Sequence, residues 1–250
     1  MSNTYNPMSL KGKIILVTGA SSGIGQAVAI ECSKLGAIVI CTARNEDRLK
    51  QTISLMEGKE HSYVVADLTD SEAIDDLIRC LPKLDGVSHN AGLGQTMLTL
   101  FAKEPEIHRL TNINLLSVVI LQTRLLRNKK IKKGASLVFM SSISSHLSVF
   151  GNAFYAMSKA GLTAYVRTLA MELGSRAIRA NTVHPGMIET PLIHREQLGD
   201  EQRALDVKNY PLGRYGQPEE VAHVVAFLLS EAASWITGSR YFIDGGRITH

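Results

Sequence analysis

Seven short runs rich in β-branched and apolar residues, at 13–18, 37–42, 62–66, 84–89, 136–140, 178–183 and 241–243, alternate with stretches of helical periodicity. A run that is apolar throughout, such as Ile14-Ile15-Leu16-Val17, suits a strand covered on both faces. Strands that recur across helices are joined by right-handed crossovers. The pattern therefore predicts an α/β chain: a single-domain, Rossmann-like, doubly wound, seven-stranded parallel sheet with helices on both faces. Between strands, Ile24, Val28, Cys32 and Leu35 make one apolar helical stripe, and longer helices are expected at 106–130, 153–173 and 218–230. With 250 residues, 45% hydrophobic and 20% charged, the chain can bury one large core, which excludes intrinsic disorder. No repeat or linker divides it, so residues 1–250 are read as one domain, with 1–10 a frayed tail. Residues 185–216, broken by Pro185, Gly186, Pro191, Pro211, Gly213 and Gly216, are long enough to form a substrate lid.

The formal net charge of +4 is spread from Lys11 to Arg247, which argues against a nucleic-acid partner. The cluster Lys129-Lys130-Ile131-Lys132-Lys133 reads as a solvated helix end. Cys32, Cys41 and Cys80 are odd in number, lack C-x-x-C spacing and lie in apolar or helical stretches, so they are expected as buried thiols in a reducing compartment. The first thirteen residues carry no continuous apolar segment and runs such as 224–229 are too short for a bilayer; a cytoplasmic chain without a membrane partner is expected. The eight histidines show no metal-ligand spacing, and no metal is expected.

Thr18-Gly19-Ala20-Ser21-Ser22-Gly23-Ile24-Gly25 follows the first strand directly, and an amphipathic helix starts inside it. Glycines there let the backbone approach a pyrophosphate, and the helix N-terminus offers unpaired N–H groups to it. The spacing is G-x-x-x-G-x-G, and a merely tight strand-to-helix turn would look the same. Gly19, Ser21, Ser22, Gly23, Ile24 and Gly25 are thus candidate dinucleotide contacts. Asn90-Ala91-Gly92 closes the fourth strand, where the strand order should reverse and ligands bind. Asp67-Leu68 sits at the equivalent end of the third strand; a place near a helix N-cap explains Asp67 equally well.

The second strand ends in Cys41-Thr42-Ala43-Arg44, with no carboxylate where an NAD enzyme needs one for the adenosine ribose. Asn45, Glu46 and Asp47 read instead as an N-cap and acidic first helical turn. Arg44 matches a 2′-phosphate bidentately and Thr42 adds a hydroxyl, so NADP(H) is expected over NAD(H). The bland alternative pairs Arg44 with Asp47 at the surface.

Tyr155 and Lys159 lie four residues apart on one helical face. A phenol is a poor base at neutral pH, but an adjacent ammonium stabilises phenolate, which makes Tyr155 a candidate proton shuttle. Ser142, at the end of the fifth strand, is placed to hydrogen-bond a carbonyl. Either feature alone is commonplace: a surface pair, or a polar loop.

Together, from Leu10 to Gly246, these residues closely resemble the short-chain dehydrogenase/reductase family. The matching elements are Thr18 to Gly25, Asp67, Asn90-Ala91-Gly92, Asn114, Ser142, Tyr155-x-x-x-Lys159, Asn181 with Pro185-Gly186, and Asp244-Gly245-Gly246. The resemblance implies a tetrad of Asn114, Ser142, Tyr155 and Lys159, with Asn114 supporting a proton relay; Asn112, two residues away, competes for that assignment. It implies that Pro185, Gly186, Ile188 and Thr190 close over the nicotinamide, and that 191–210 covers the substrate, where His194, Arg195 and Arg203 could meet an anionic group. His89 replaces the family's usual Asn, and a structural role is expected for it. Gly213 to Glu220 and the terminal Asp244-Gly245-Gly246 are most similar to 3-oxoacyl-acyl-carrier-protein reductases. Sugar, polyol and steroid dehydrogenases share these features, and a non-catalytic dinucleotide-binding regulator is a further alternative. The resemblance also implies a homotetramer pairing the helices at 106–130 and 153–173, with Leu115, Val118, Val119, Leu121, Leu125, Leu162, Tyr165, Val166 and Leu169 as apolar residues in excess of one sheet-facing stripe. The expected substrate is a small carbonyl compound or a carrier-linked acyl group. Acyl carrier protein would dock on Lys129, Lys130, Lys132, Lys133, Arg176 and Arg179.

Overall fold

Every one of the seven apolar runs forms a strand in the computed structural model, which describes residues 5–190 and 199–248. The strands are β1 (Ile14–Thr18), β2 (Ile38–Ala43), β3 (Ser62–Val65), β4 (Leu84–His89), β5 (Ile131–Met140), β6 (Arg179–Pro185) and β7 (Arg240–Ile243). They pair in parallel in the order β3-β2-β1-β4-β5-β6-β7, so the order reverses between β1 and β4. The helices are α1 (Gly23–Lys34), α2 (Glu46–Ser54), α3 (Ser71–Cys80), α4 (Glu104–Thr111), α5 (Ser117–Arg127), α6 (Ala153–Leu173), α7 (Asp200–Val207) and α8 (Pro218–Leu229).

Side-chain alternation divides the core between the two faces of the sheet. Leu16, Leu137 and Phe139 join the cluster formed with α3, α5 and α6, whereas Ile15, Val17, Val138 and Met140 join the cluster with α1 and α8. Burying each such side chain contributes about 1.5–3 kcal/mol. Local signals start the helices: Asn45 accepts from the Arg48 amide, Asp70 accepts from the Glu72 amide, and Gln217 with Glu220 forms a capping box behind Pro218.

Several expectations are corrected. The helix expected over 106–130 is three pieces: α4, a π-helical turn at Asn112–Leu116, and α5. Lys129 adopts a left-handed φ of 55°, while the Lys129 and Lys130 amides donate to the Leu126 and Leu125 carbonyls. This stops the helix with the bonding of a Schellman cap. The basic cluster is therefore not one helix end, because β5 already begins at Ile131. Cys80 is exposed, unlike Cys32 and Cys41. The tail is docked from Pro7 to Leu10: Leu10 is buried, its amide donates to the Leu35 carbonyl at 2.9 Å, and the Ala232 amide donates to the Pro7 carbonyl at 3.0 Å. Of the apolar residues assigned to subunit pairing, Val118, Leu121, Leu125, Leu162, Val166 and Leu169 are buried in the chain's own core, and Leu115, Val119 and Tyr165 are partly buried. The large apolar residues exposed on α5 and α6, with the π turn between α4 and α5, are Leu116, Ile120, Met157 and Met171. Arg179 is not a surface residue; its guanidinium donates to the Ser230 and Ile236 carbonyls. Among the described residues, no helix is long and apolar enough to cross a membrane.

Candidate active site

The carboxyl ends of β1 and β4 are tied together by Thr18, whose hydroxyl accepts from the Asn90 and Ala91 amides at 3.0 and 3.2 Å. Gly19 follows with φ 65°, and a Cβ there would lie 2.8 Å from the Ala91 amide nitrogen. At Gly25 a Cβ would lie 2.3 Å from the Gly19 carbonyl oxygen, so α1 can rest on the turn only without a side chain. Ser22 at the N-cap makes no side-chain capping bond and the first turn of α1 holds no acidic residue. The amides of this helix end consequently face a groove lined by Gly19, Ser21, Ser22, Gly23, Ile24 and Gly25.

The same groove is lined by Arg44, Asp67, Leu68, Asn90, Ala91, Gly92 and Thr190. Thr42 also lines it, with a buried hydroxyl that has no hydrogen-bond partner among the described residues. Arg44 lies 3.9 Å from Asp67, not against Asp47, and Asn45 caps α2 as expected. Asp67 is partly buried, which by itself raises a carboxyl pKa, but the Thr69 amide and hydroxyl with Arg44 hold it below the ordinary value. The N-cap of α3 is Asp70, not Asp67. Sequence reasoning missed Ala43, Ala66, Thr69, Arg48, Leu93, Ile113, Ser117 and Met140 in this groove, and Asn45, expected only as a helix cap, lines it as well. Of these only Arg48 carries a readable signal, being one helical turn beyond Arg44.

A polar cluster stands at the groove's inner end. A Cβ at Gly92 would lie 3.0 Å from Asn114 Oδ1 and 3.5 Å from Lys159 Nζ, so these three meet. Asn114 is fully buried in the π turn; it accepts from the Leu93 amide at 2.8 Å and donates to the Leu93 carbonyl at 2.9 Å. Asn112 is only half-buried. Lys159 donates to the Met140 carbonyl at 2.8 Å, and its Nζ stands 5.7 Å from the centroid of the half-buried Tyr155 ring. Burial pulls its pKa down to about 8. Ser142 starts the 3-10 turn Ile143–Ser145; its Oγ accepts from the Ser144 amide at 3.1 Å.

Other expected site residues stand elsewhere. Ile188, Pro185 and Gly186 are not among the groove's lining residues: Ile188 is buried and bridged to Gly216, Pro185 ends β6, and the Gly186 amide is bonded to the Ile243 carbonyl. His194 and Arg195 fall outside the described residues. Arg203 pairs with Glu189 and stacks 5.3 Å over the Tyr215 ring, so it is committed within the chain. His89 is neutral in its buried site, with a pKa lowered to about 4 by desolvation; its Nε2 meets Gln122 Oε1 at 2.9 Å and its ring stacks on Phe139. Beside the Ser142 turn lies a second, largely apolar cavity of about 790 Å³, lined by Ser144, Ser145, Leu98, Phe101, Val149 and Phe150 among others. That volume suits a small-molecule ligand. Among the described residues no group of three or more His, Cys, Asp or Glu is placed to hold a metal.

The comparisons agree with this geometry. A sequence profile described as Enoyl-(Acyl carrier protein) reductase matches residues 19–247. The chain is 37% identical over 246 residues to the 3-oxoacyl-acyl-carrier-protein reductase FabG of Pseudomonas aeruginosa, covering 96% of this chain and 98% of that one. It is 36% identical over 248 residues to FabG of Thermotoga maritima, covering 96% and 100%. A dehydrogenase/reductase structure from Sinorhizobium meliloti 1021 superposes with a TM-score of 0.90 at 30% identity, covering 97% of each chain. A double variant of a Serratia marcescens short-chain dehydrogenase/reductase gives a TM-score of 0.88 at 30% identity, over 97% and 99%.

Proposed function

The chain belongs to the short-chain dehydrogenase/reductase family of oxidoreductases, and on that footing we propose that it reduces a ketone with NADP(H), a 3-oxoacyl thioester being the foremost substrate class. The observation that carries the reading is the meeting of Tyr155, Lys159 and Asn114 at the inner end of a groove floored by glycines and an uncapped helix end. Bound there, the nicotinamide dinucleotide supplies a hydride to the carbonyl carbon. Tyr155 donates its hydroxyl proton to the carbonyl oxygen, Ser142 hydrogen-bonds that oxygen, and Lys159 sets positive charge where the phenolate forms. Asn114 fixes the backbone at Leu93 and supports the return of a proton.

The unpartnered Thr42 hydroxyl and the guanidinium pair of Arg44 and Arg48 favour a cofactor bearing a 2′-phosphate. The substrate class rests on relatives named as 3-oxoacyl-acyl-carrier-protein reductases and on the apolar cavity beside the Ser142 turn. Much of the segment expected as a lid, 191–198, lies outside the described residues; the three unpaired cysteines favour a reducing compartment such as the cytoplasm. For assembly, Leu116, Ile120, Met157 and Met171 favour a homotetramer with α5 and α6 paired across a two-fold. Lys133 lies toward the amino end of β5 and Ser142 just past its carboxyl end. A two-fold runs the paired helices antiparallel, which carries one copy's basic edge toward the other's active-site end, where an acidic carrier protein would dock.

The reading is tested by following nicotinamide absorbance with purified protein and NADPH against acetoacetyl thioesters, sugars and steroid ketones. Turnover of the thioester is expected to exceed that of the others. Turnover confined to a sugar or steroid ketone would replace the substrate class, and light scattering giving the mass of one chain would overturn the tetramer.

A further inference from the structure

A polar cluster behind Ser142 is left unused by the chemistry above. His184 on β6 is fully buried, and its Nδ1 lies 3.1 Å from the Ser142 carbonyl oxygen and 3.1 Å from Ser145 Oγ. Its Nε2 lies 2.8 Å from Thr182 Oγ1. The Ser145 hydroxyl donates to the same Ser142 carbonyl at 2.6 Å, and the Ser145 amide does so at 3.1 Å. Ser145 Oγ is also 2.8 Å from Nδ1 of His146, whose Nε2 is 2.8 Å from an Arg240 guanidinium nitrogen on β7. Phe242 packs against both imidazoles, with ring centroids 5.0 and 4.8 Å away.

One arrangement of protons satisfies every one of these contacts. A guanidinium only donates, so His146 Nε2 accepts from Arg240 and the neutral ring carries its proton on Nδ1, aimed at Ser145 Oγ. A carbonyl only accepts, so His184 carries its proton on Nδ1 and its Nε2, at 2.8 Å, takes the Thr182 hydroxyl proton in preference to the Ser239 carbonyl, which that hydroxyl faces at the longer distance of 3.4 Å. Ser145 then receives from both rings, and its own proton goes to the Ser142 carbonyl. The arrangement requires two neutral imidazoles. Desolvation lowers the His184 pKa to about 4, and desolvation followed by the Arg240 charge lowers that of His146. The charged and titratable neighbours are Arg240 from β7 and each imidazole for the other, with Lys159 from α6 acting on His184.

Ser142 and Ser145 begin and end the turn Ile143–Ser145, and the Ser142 hydroxyl is held by Ser144 in its middle. We propose that His184, Ser145, His146 and Arg240 are positioning residues that lock this turn and thereby aim the Ser142 hydroxyl at the substrate carbonyl. The proposal rests on the carbonyl-reduction reading, and it gives that site a support reaching from β5 across β6 to β7. None of the four side chains lines the cofactor groove. Their loss should therefore be felt in the chemical step and not in cofactor binding. A displacement of the order of 1 Å at a reacting group is enough for a large rate loss.

The test uses the full chain with His184→Leu, His184→Asn and Arg240→Met. Asn offers an amide donor near the place of Nδ1, whereas Leu offers none. Expected is a kcat lowered about tenfold or more in His184→Leu, recovered to within about threefold in His184→Asn, with the NADPH dissociation constant changed by less than about twofold in each. A smaller loss of about threefold is expected in Arg240→Met. Leu and Asn variants with equal kcat, or NADPH affinity lost in step with kcat, would overturn the proposal. Nitrogen-15 histidine spectra of the wild type supply a readout that needs no turnover. Nδ1–H tautomers are expected for both rings at pH 7, with the His146 tautomer becoming mixed in Arg240→Met. If the wild type reduces no ketone while both tautomers are as stated, the carbonyl-reduction reading fails and the hydrogen-bond lock stands. Nε2–H on His184 would remove the lock whatever the activity.

Discussion

At the β1 and β4 ends of the sheet the site is made largely of backbone: Gly19, Gly25 and the uncapped start of α1, with the Thr18 and Asn90 side chains tying the two strand ends together. At the β5, β6 and β7 ends it is made of side chains that meet from far apart in sequence, as Ser145 meets His184 and His146 meets Arg240. The two ends must hold different things. A pyrophosphate needs close approach and N–H groups, which glycine and a helix end supply without side chains. A reacting carbonyl needs a hydroxyl and a proton donor placed to a fraction of an ångström, which only locked side chains supply.

The sharpest way to break this contrast is Tyr155→Phe, which keeps the ring and deletes the hydroxyl. Turnover should fall by about a hundredfold or more with NADPH binding nearly intact, as read by steady-state kinetics and titration. Wild-type-like turnover would remove Tyr155 from the chemistry. At the backbone end the corresponding change is Gly25→Ala. With backbone 2.3 Å from the new Cβ, thermal or denaturant unfolding should show a loss of about 1–3 kcal/mol, together with weakened cofactor binding. A stable variant with native affinity would show that α1 does not rest on the Gly19 turn.

Lys159 joins the two ends and carries a cost in stability. Its pKa falls from 10.5 to about 8 on burial, so the unfolded chain binds more protons than the folded one between those values. Stability is therefore lowered below pH 8 and recovers as pH rises from about 8 toward 10.5. Lys159→Met should remove that slope and stabilise the cofactor-free protein by about 2 kcal/mol at pH 7 while abolishing turnover. An unchanged stability profile would contradict the burial argument. The smallest expected effect is at the groove's outer end. Arg44→Ala should raise the KM for NADPH about tenfold, equivalent to about 1.4 kcal/mol, and leave that for NADH nearly unchanged. A larger effect on NADH would show that the groove does not read the phosphate.

The same contrast governs what could be read before the fold was known. The five inner strands were legible because buried parallel strands are apolar on both faces, the half-exposed edge strands β3 and β7 by their β-branched and aromatic residues, and the glycine turn because positive φ and close approach leave few residue choices. Tyr155 and Lys159 were legible because helical spacing alone brings them together. Asn114 was harder to assign, since it is the π turn at Asn112–Leu116 that buries it against Leu93. The tail docking at Leu10, the Arg203 pairing with Glu189 and the His89 bond to Gln122 had no local signal at all. Each depends on a partner placed by tertiary packing, and a histidine or arginine reads identically in a sequence whether solvated or committed. How the apolar residues of α5 and α6 divide between the chain's own core and any partner was not legible for a related reason: the 3.6-residue period gives the apolar stripe but not how much of it the chain's own sheet covers.

The central claim is that hydride passes from the cofactor groove to a carbonyl carbon while Tyr155 supplies the proton. It is tested most directly with NADPH carrying deuterium at both hydrogens of nicotinamide C4 and an acetoacetyl thioester, analysing the product by mass spectrometry. The account predicts one deuterium on the carbinol carbon in the wild-type product and almost no product from Tyr155→Phe. A reduced product without deuterium on that carbon would contradict it.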